Sequence, residues 1–554
     1  MSVGLPQMLY SDGIKKAKQT EFKGYNHNLY AQDGELWDMK NLTSDLYPLL
    51  SPRLPRYIVE RLEKPNGFYA KDGMYWVDGT GFYAAGEKKF DVADSRKQFT
   101  SIGAYVILLP DKKWYNRLTG EFGDMEASWS GSAKIQDGTY AGESAEANTI
   151  YAAGANWADT FQVGDAVAIS GCTIHESNNQ TIIIREIDGD NLRFYENSFT
   201  INSGGDTETL TIAREMPELD FLCENENRLW GCKGDTVYAS KLGDPFNWNV
   251  FDGLSTDSFA VDVGSAGDFT GCCSYLGYPC MFKEENIYKV YGDKPSNFQV
   301  MGSASLGVEA GSHRSLAIAG EVLFYHSRVG VVAYSGGIPQ SIAAPFGTER
   351  YRNAVAGSDG VKYYVSMEDM EGGWTLFVYD TRFNQWHKED ALEAVGFGWN
   401  TELYFLDATR KLWLNGNTRT VPEDATPEGA VESLAEFGDF VEDDPNKKGT
   451  SKLQVRMELD AGASVAVEME FDSDGTWRAV STLTATVPPQ GGRDIRKTAE
   501  PSTAVQKRSF YLPIIPRRSD HFRIRFRGTG GWRLYSLVRE SYSGSELKST
   551  PGRQ

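Results

Sequence analysis

The sequence has no apolar run approaching the ~20 residues that a membrane-spanning helix needs, so no membrane insertion is expected. Its opening residues, MSVGLPQMLYSDG, have neither a basic region nor an apolar core, and no secretory signal is read there. Cysteine is scarce. Residues 172, 223, 232, 272, 273 and 280 show no metal-site spacing, and Cys272 and Cys273 lie inside an apolar run. They are expected to be buried free thiols of a protein made in a reducing cytosol. Histidine is equally scarce, and none of His27, His175, His313, His326, His387 and His521 pairs at a ligand spacing, so no metal is expected. Positive charge is in deficit: 56 Lys and Arg face 76 Asp and Glu, a net charge of -20. A surface that grips nucleic acid needs basic patches, whereas one that nucleic acid slides past does not. No G-x-S-x-G, P-loop, G-x-G-x-x-G or catalytic cysteine signature occurs. Hence no catalytic, cofactor-binding or metal residue is assigned, binding residues stay unknown, and the chain is expected not to be an enzyme. Carboxylates are abundant, so a glycosidase pair stays open, but nothing singles one out.

What the chain has is aromatic residues, 12 per cent of it, and 57 glycines, a composition suited to sheets and tight turns. The stretch from Phe269 to Gly337 shows the plan most clearly. Cys272–Leu276, Cys280–Phe282 and Ile287–Tyr291 end at Gly292; Leu316–Ala319, Val322–Tyr325 and Val329–Tyr334 end at Gly336. Both halves are β-meanders, offset by about the ~40–45 residues of a propeller blade. Similar meanders recur at Asn66–Gly86, where Asp72-Gly73 and Asp78-Gly79 signal hairpins, at Phe99–Gly120, at Leu219–Ser240, and from Val361 to Leu414. The count is seven, or six if one belongs to the N-terminal arm.

The fold class is therefore all-β: a β-propeller of four-stranded meanders, with an inserted small β-barrel-like domain and a C-terminal β-sandwich. Residues 1–60 are read as an arm along the surface of the propeller, broken by Pro48, Pro52 and Pro55. Residues 61–123 and 215–420 form the discontinuous propeller. Residues 124–214, rich in Thr, Ser, Asn and Gly, form the insertion, with a structural or docking role. Residues 421–448 are a solvated acidic linker containing Asp443 and Asp444, with a short helical turn over Ser433–Phe437. Residues 449–554 form the sandwich, where Phe522, Ile524 and Phe526 alternate with Arg523, Arg525 and Arg527. The arginines mark a wet face or, alternatively, part of a subunit contact reaching the acidic linker.

Three stretches, Tyr238–Gly253, Phe282–Gly292 and Leu323–Gly337, resemble the β-propeller nozzle proteins that close the short tails of podovirus-like phages. Asp33–Arg53 and Arg508–Gly544 look like phage structural proteins. The resemblance implies a virion protein of the phage tail and a homo-oligomer, a hexameric ring. It also implies adaptor and fibre proteins as partners, and DNA conducted without specific binding and without a cofactor. The alternative is a receptor- or glycan-binding tail-tip module. Asp472-Ser473-Asp474-Gly475-Thr476-Trp477 resembles part of the aspartate box of sialidase propellers. It lies outside the meander array and occurs once, so it is read as a hairpin turn.

Overall fold

Short aromatic runs separated by residues that accept left-handed backbone make hairpins the cheapest local solution: Asp72 sits at φ 53° and Gly79 at φ 56° in the first of them. The structure, a computed structural model, describes residues 15–28, 32–140, 144–195, 197–201, 206–442, 447–485, 506–515 and 517–543. The opening MSVGLPQMLYSDG, Asp443, Asp444 and the end of the sequence from Gly544 lie outside the described residues.

Seven antiparallel meanders form a propeller. Blade one runs from Pro65–Ala70 to Glu87–Asp91, blade two from Gln98–Ile102 to Phe122–Asp124, and blade three from Phe221–Asn225 to Phe259–Asp262. Blade four runs from Gly271–Tyr275 to Gln299–Ala304, blade five from Ala317–Ala319 to Gln340–Ser341, and blade six from Tyr351–Ser358 to Gln385–Lys388. Blade seven takes Ala394–Asn400, Glu402–Asp407 and Lys411–Leu414 from the end of the array and Tyr57–Arg61 from the arm. The arm thus supplies the strand that locks the ring, rather than lying on its surface. Apolar side chains pack between neighbouring blades all the way round. Phe68 and Trp76 of blade one meet Leu406 and Leu412 of blade seven, and Tyr275 and Phe282 of blade four meet Tyr325 and Tyr334 of blade five. Each such large side chain contributes ~1.5–3 kcal/mol on burial, which is what holds a ring whose blades share few hydrogen bonds.

Between blades two and three, six strands from Ala127–Gly138 to Glu208–Arg214 close into a barrel around Trp157, Phe161 and Phe194. It docks on the propeller through Asn247, whose side-chain amide donates to Asp165 at 3.0 Å and whose carbonyl oxygen accepts from the Ala166 N–H at 2.9 Å.

Two sheets form the sandwich, and both begin in the arm. Lys15–Gln19 edges one sheet, pairing with Trp532–Ser543; Leu36–Lys40 edges the other, pairing with Glu432–Phe437. That last pairing corrects the expected linker. Glu432–Phe437 is an interior strand, not a helical turn, because Ser433, Ala435 and Phe437 alternate inward while glutamates face out. The alternating arginines are likewise paired within the chain. Arg523 bonds Glu436 of that strand, and Arg525 bonds Glu468 at 2.5 Å. Arg527 stays half in solvent.

Candidate functional site

The first strand of every blade lies nearest the axis, and these strands line a recess of about 260 Å³. Five aromatic side chains stand in its walls. Phe68 and Tyr69 come from blade one, Phe99 from blade two, Phe221 from blade three and Phe397 from blade seven. Tyr69 stacks on Phe99 with centroids 5.9 Å apart, and its hydroxyl is held by Ser101 at 2.9 Å.

The polar groups arrive on one short turn. His313–Ser315 is a single helical turn ahead of blade five, pinned from behind by Tyr363, whose hydroxyl donates to the Ser315 carbonyl at 2.9 Å. Ser315 Oγ in turn accepts from the His326 N–H at 2.8 Å, and Ser312 Oγ accepts from the Ala354 N–H at 3.1 Å. This anchoring sends Arg314 across the recess. Its guanidinium donates to the Val395 carbonyl and to the Lys97 carbonyl, each at a long 3.4 Å, and has no ion pair among the described residues. Burial, with Arg96 nearby, lowers its pKa to about 10. His313 stacks beside Phe221 with centroids 5.0 Å apart, and its buried Nε2 has no hydrogen-bond partner. Burial and then the Arg314 charge push its pKa down to about 4, so it is neutral at pH 7. Lys97 also lines the recess, but its ammonium is already paired with Asp111.

No carboxylate lines the recess among the described residues. A desolvated cation with only two long carbonyl contacts, an unpartnered imidazole nitrogen and flat aromatic walls make a place for an anionic, ring-shaped group. A larger hollow of about 680 Å³, between arm, sandwich and blade seven, differs in this respect. Its Arg53 is satisfied by Glu428 at 2.7 and 3.0 Å.

Of the residues singled out in the sequence, Cys272 and Cys273 reach the recess wall. Both thiols are free, and Cys272 Sγ lies 2.9 Å from Cys223 Sγ. Burial holds the Cys273 thiol well above its ordinary pKa, which denies it thiolate character. The Asp472–Trp477 stretch does form a hairpin connection, between Ser464–Phe471 and Arg478–Thr484 of the sandwich. Sequence reasoning passed over His313 and Arg314. The available signal was a histidine and an arginine side by side immediately ahead of the inner strand of a blade.

No family model and no curated protein matches the chain. Among solved structures it is similar to the extracellular domain of a one-component system of B. thetaiotaomicron, at 7% identity over 84% of this chain and 94% of that one, with a TM-score of 0.18. It is similar to Trypanosoma rangeli sialidase in complex with 2,3-difluorosialic acid, at 10% identity over 95% of each chain, with a TM-score of 0.18. A third is a glycoside hydrolase family 43 arabinoxylan arabinofuranohydrolase from Bacillus subtilis, at 13% identity over 86% and 95% of the chains, with a TM-score of 0.16. The expectation that the chain is not an enzyme is therefore withdrawn. It rested on missing signatures, and two of these neighbours are enzymes. At these TM-scores the likeness brings neither chemistry nor substrate to the present chain.

Proposed function

We propose that the chain is a recognition module of a phage tail that holds an acidic sugar in the axial recess of its propeller. The observation that carries this reading is Arg314: a guanidinium in a recess with five aromatic side chains, without a carboxylate partner among the described residues, beside a His313 whose Nε2 is also unpartnered. A sugar carboxylate would replace the two long carbonyl contacts with charge-assisted bonds, and the aromatic faces would stack on the ring. The phage setting rests on the stretches that resemble tail proteins. Titration calorimetry with glucuronate, N-acetylneuraminate and glucose tests it. Binding of the acidic sugars, weakened ~10- to 100-fold in Arg314→Ala as a charged hydrogen bond predicts, is expected. Equal binding of glucose, or none of the acids at millimolar concentration, overturns it.

A second reading, a ring at the end of the tail that conducts DNA, is favoured by the way the arm binds sandwich and propeller into one stiff unit. The propeller axis is a recess of only about 260 Å³, so on this reading DNA passes between copies, along walls that a charge of -20 per chain keeps from sticking. Sedimentation of the protein with tail extracts, expected to give a closed ring, tests it; a monomer throughout counts against it.

A further inference from the structure

The sandwich carries a constellation that the axial recess does not use. Ser473 Oγ lies 2.7 Å from His521 Nε2, and His521 Nδ1 lies 2.5 Å from Asp520 Oδ1. With the Nδ1 proton on the Asp520 side, Nε2 is left as the acceptor of the serine proton. This is the nucleophile, base and orienting-group relation of a serine hydrolase, assembled from two loops that are far apart in sequence.

The loops are held by rigid neighbours. Phe471 and Phe522 are buried cross-strand partners, and they immediately precede and follow the constellation. The Phe440 N–H donates to the Phe522 carbonyl at 2.9 Å from the other side. The Asp472 N–H donates to the His521 carbonyl at 3.2 Å, and the Asp520 N–H donates to Asp472 Oδ1 at 2.8 Å, so the two loops are laced together in both directions. Asp472 and Ser473 both adopt left-handed backbone, φ 51° and 50°, as hairpin turns do, and this turn places Ser473 beyond the end of the strand. Ser473 is exposed. Arg478 and Arg517 converge on Asp474, the next residue, and pin the loop on its far side.

We infer that Ser473, His521 and Asp520 form a hydrolytic site for small carboxylic esters on the sandwich. Ser473 Oγ bonds to the acyl carbon while its proton passes to His521 Nε2. The tetrahedral adduct collapses, the ester C–O bond breaks, and the leaving alcohol takes that proton. Water then attacks the acyl-serine, giving its proton to His521; the acid leaves and Ser473 recovers its proton. Ser473 and His521 are the catalytic residues, and Asp520 is a positioning residue that fixes the imidazole tautomer.

The test is labelling of the full-length protein with a fluorophosphonate probe, peptide mapping of the adduct, and hydrolysis of p-nitrophenyl acetate. Ser473 is expected to be the labelled residue, with labelling abolished in Ser473→Ala. His521→Gln should slow labelling ~10²- to 10⁴-fold, the range for loss of a general base. Asp520→Asn should slow it at least ~10-fold and displace the pH profile, with partial rescue by Asp520→Glu. Melting temperatures should match wild type in all four. Absence of label on Ser473 in the folded protein overturns the inference. Asp472, Asp520 and His521 also present ligand atoms within 4.8 Å of one another. If calcium or manganese raises the melting temperature while Ser473 stays unlabelled, the cluster is a cation site and the hydrolytic reading fails.

Discussion

The inserted barrel and the C-terminal sandwich flank the same propeller but are closed in opposite ways. Every barrel strand comes from one continuous stretch, and its first and last residues face each other, Ala127 paired with Arg214. The sandwich takes an edge strand of each sheet from the other end of the chain, Lys15–Gln19 and Leu36–Lys40. Between those strands and the propeller the arm also supplies Tyr57–Arg61 to blade seven. One lobe is thus locally complete, and the other exists only if strands roughly 400 to 520 residues apart meet.

The comparison breaks most visibly if the arm is removed. A protein starting at Leu42 lacks a strand in each sheet of the sandwich and exposes two long edges, which are templates for aggregation. It is expected to lose cooperative unfolding of the sandwich and to precipitate on expression, read by near-ultraviolet circular dichroism and limited proteolysis. A soluble, native-like truncated protein would show the strands to be decoration.

Next in size is the ion cluster that fixes the arm as it enters blade seven. Arg56, 1% exposed, donates to Asp390 at 2.8 and 2.9 Å and to Glu389 at 2.5 Å. Its own N–H donates to Glu428 at 3.0 Å. Arg56→Met leaves Glu389 and Asp390 with only the longer 3.4 Å contacts of Arg53 and should cost up to roughly 3–5 kcal/mol in urea unfolding, the range for removing one partner of a buried pair.

A smaller effect follows from acid. Burial lowers the pKa of His387 in blade six to about 3, so between its ordinary value near 6.5 and that point only the unfolded chain takes up the proton. Stability from this group is complete above pH ~6.5 and declines as pH falls. Asp390 and Glu428 are also held below their ordinary values against the opposing effect of burial, by Arg56 and Arg53 respectively. Their contribution is present above the normal carboxylate range and is lost only as pH falls through their depressed values. The melting temperature should therefore begin to drop between pH 7 and 5, before the carboxylates titrate; His387→Gln should remove part of that first decline, the remainder belonging to His313, which burial also holds low.

Smallest is excision of the barrel. Paired ends allow residues 127–214 to be replaced by a short Gly-Ser bridge without straining blade two or three. Cooperative unfolding of the remainder is expected to persist, with ~1–3 kcal/mol lost where Asn247 forfeits its partners. Calorimetry of the excised protein checks this.

Much of the propeller was legible because its signals are local. Asp72-Gly73, Asp78-Gly79 and the aromatic runs between them specify hairpins without reference to the rest of the chain. The strands that close the molecule carry no such signal. Lys15–Gln19, KKAKQ, has no apolar alternation, and only its partner across the sheet makes it a strand, with Lys16 3.0 Å from Glu540. In Glu432–Phe437 the glutamates drew attention to charge and hid the period-two burial of Ser433, Ala435 and Phe437. Arg314 was hidden for a different reason: an arginine is noticed by its neighbours in sequence, whereas its meaning here comes from carbonyls of Lys97 and Val395, which belong to other blades. Ser473 and His521 likewise lie in loops that only the sheet brings together.

The pairing of Lys15 with Ser541 bears on how the protein is made. Lys15–Gln19 leaves the ribosome roughly 520 residues before its partner strand and must wait for it. At ~5–20 residues per second that delay is roughly half a minute to two minutes. Barrel and inner blades can settle as they emerge, while the arm trails unpaired beside them. The lysines at its start then serve the nascent chain as much as the finished one, keeping a waiting edge from finding the wrong neighbour on an adjacent polysome.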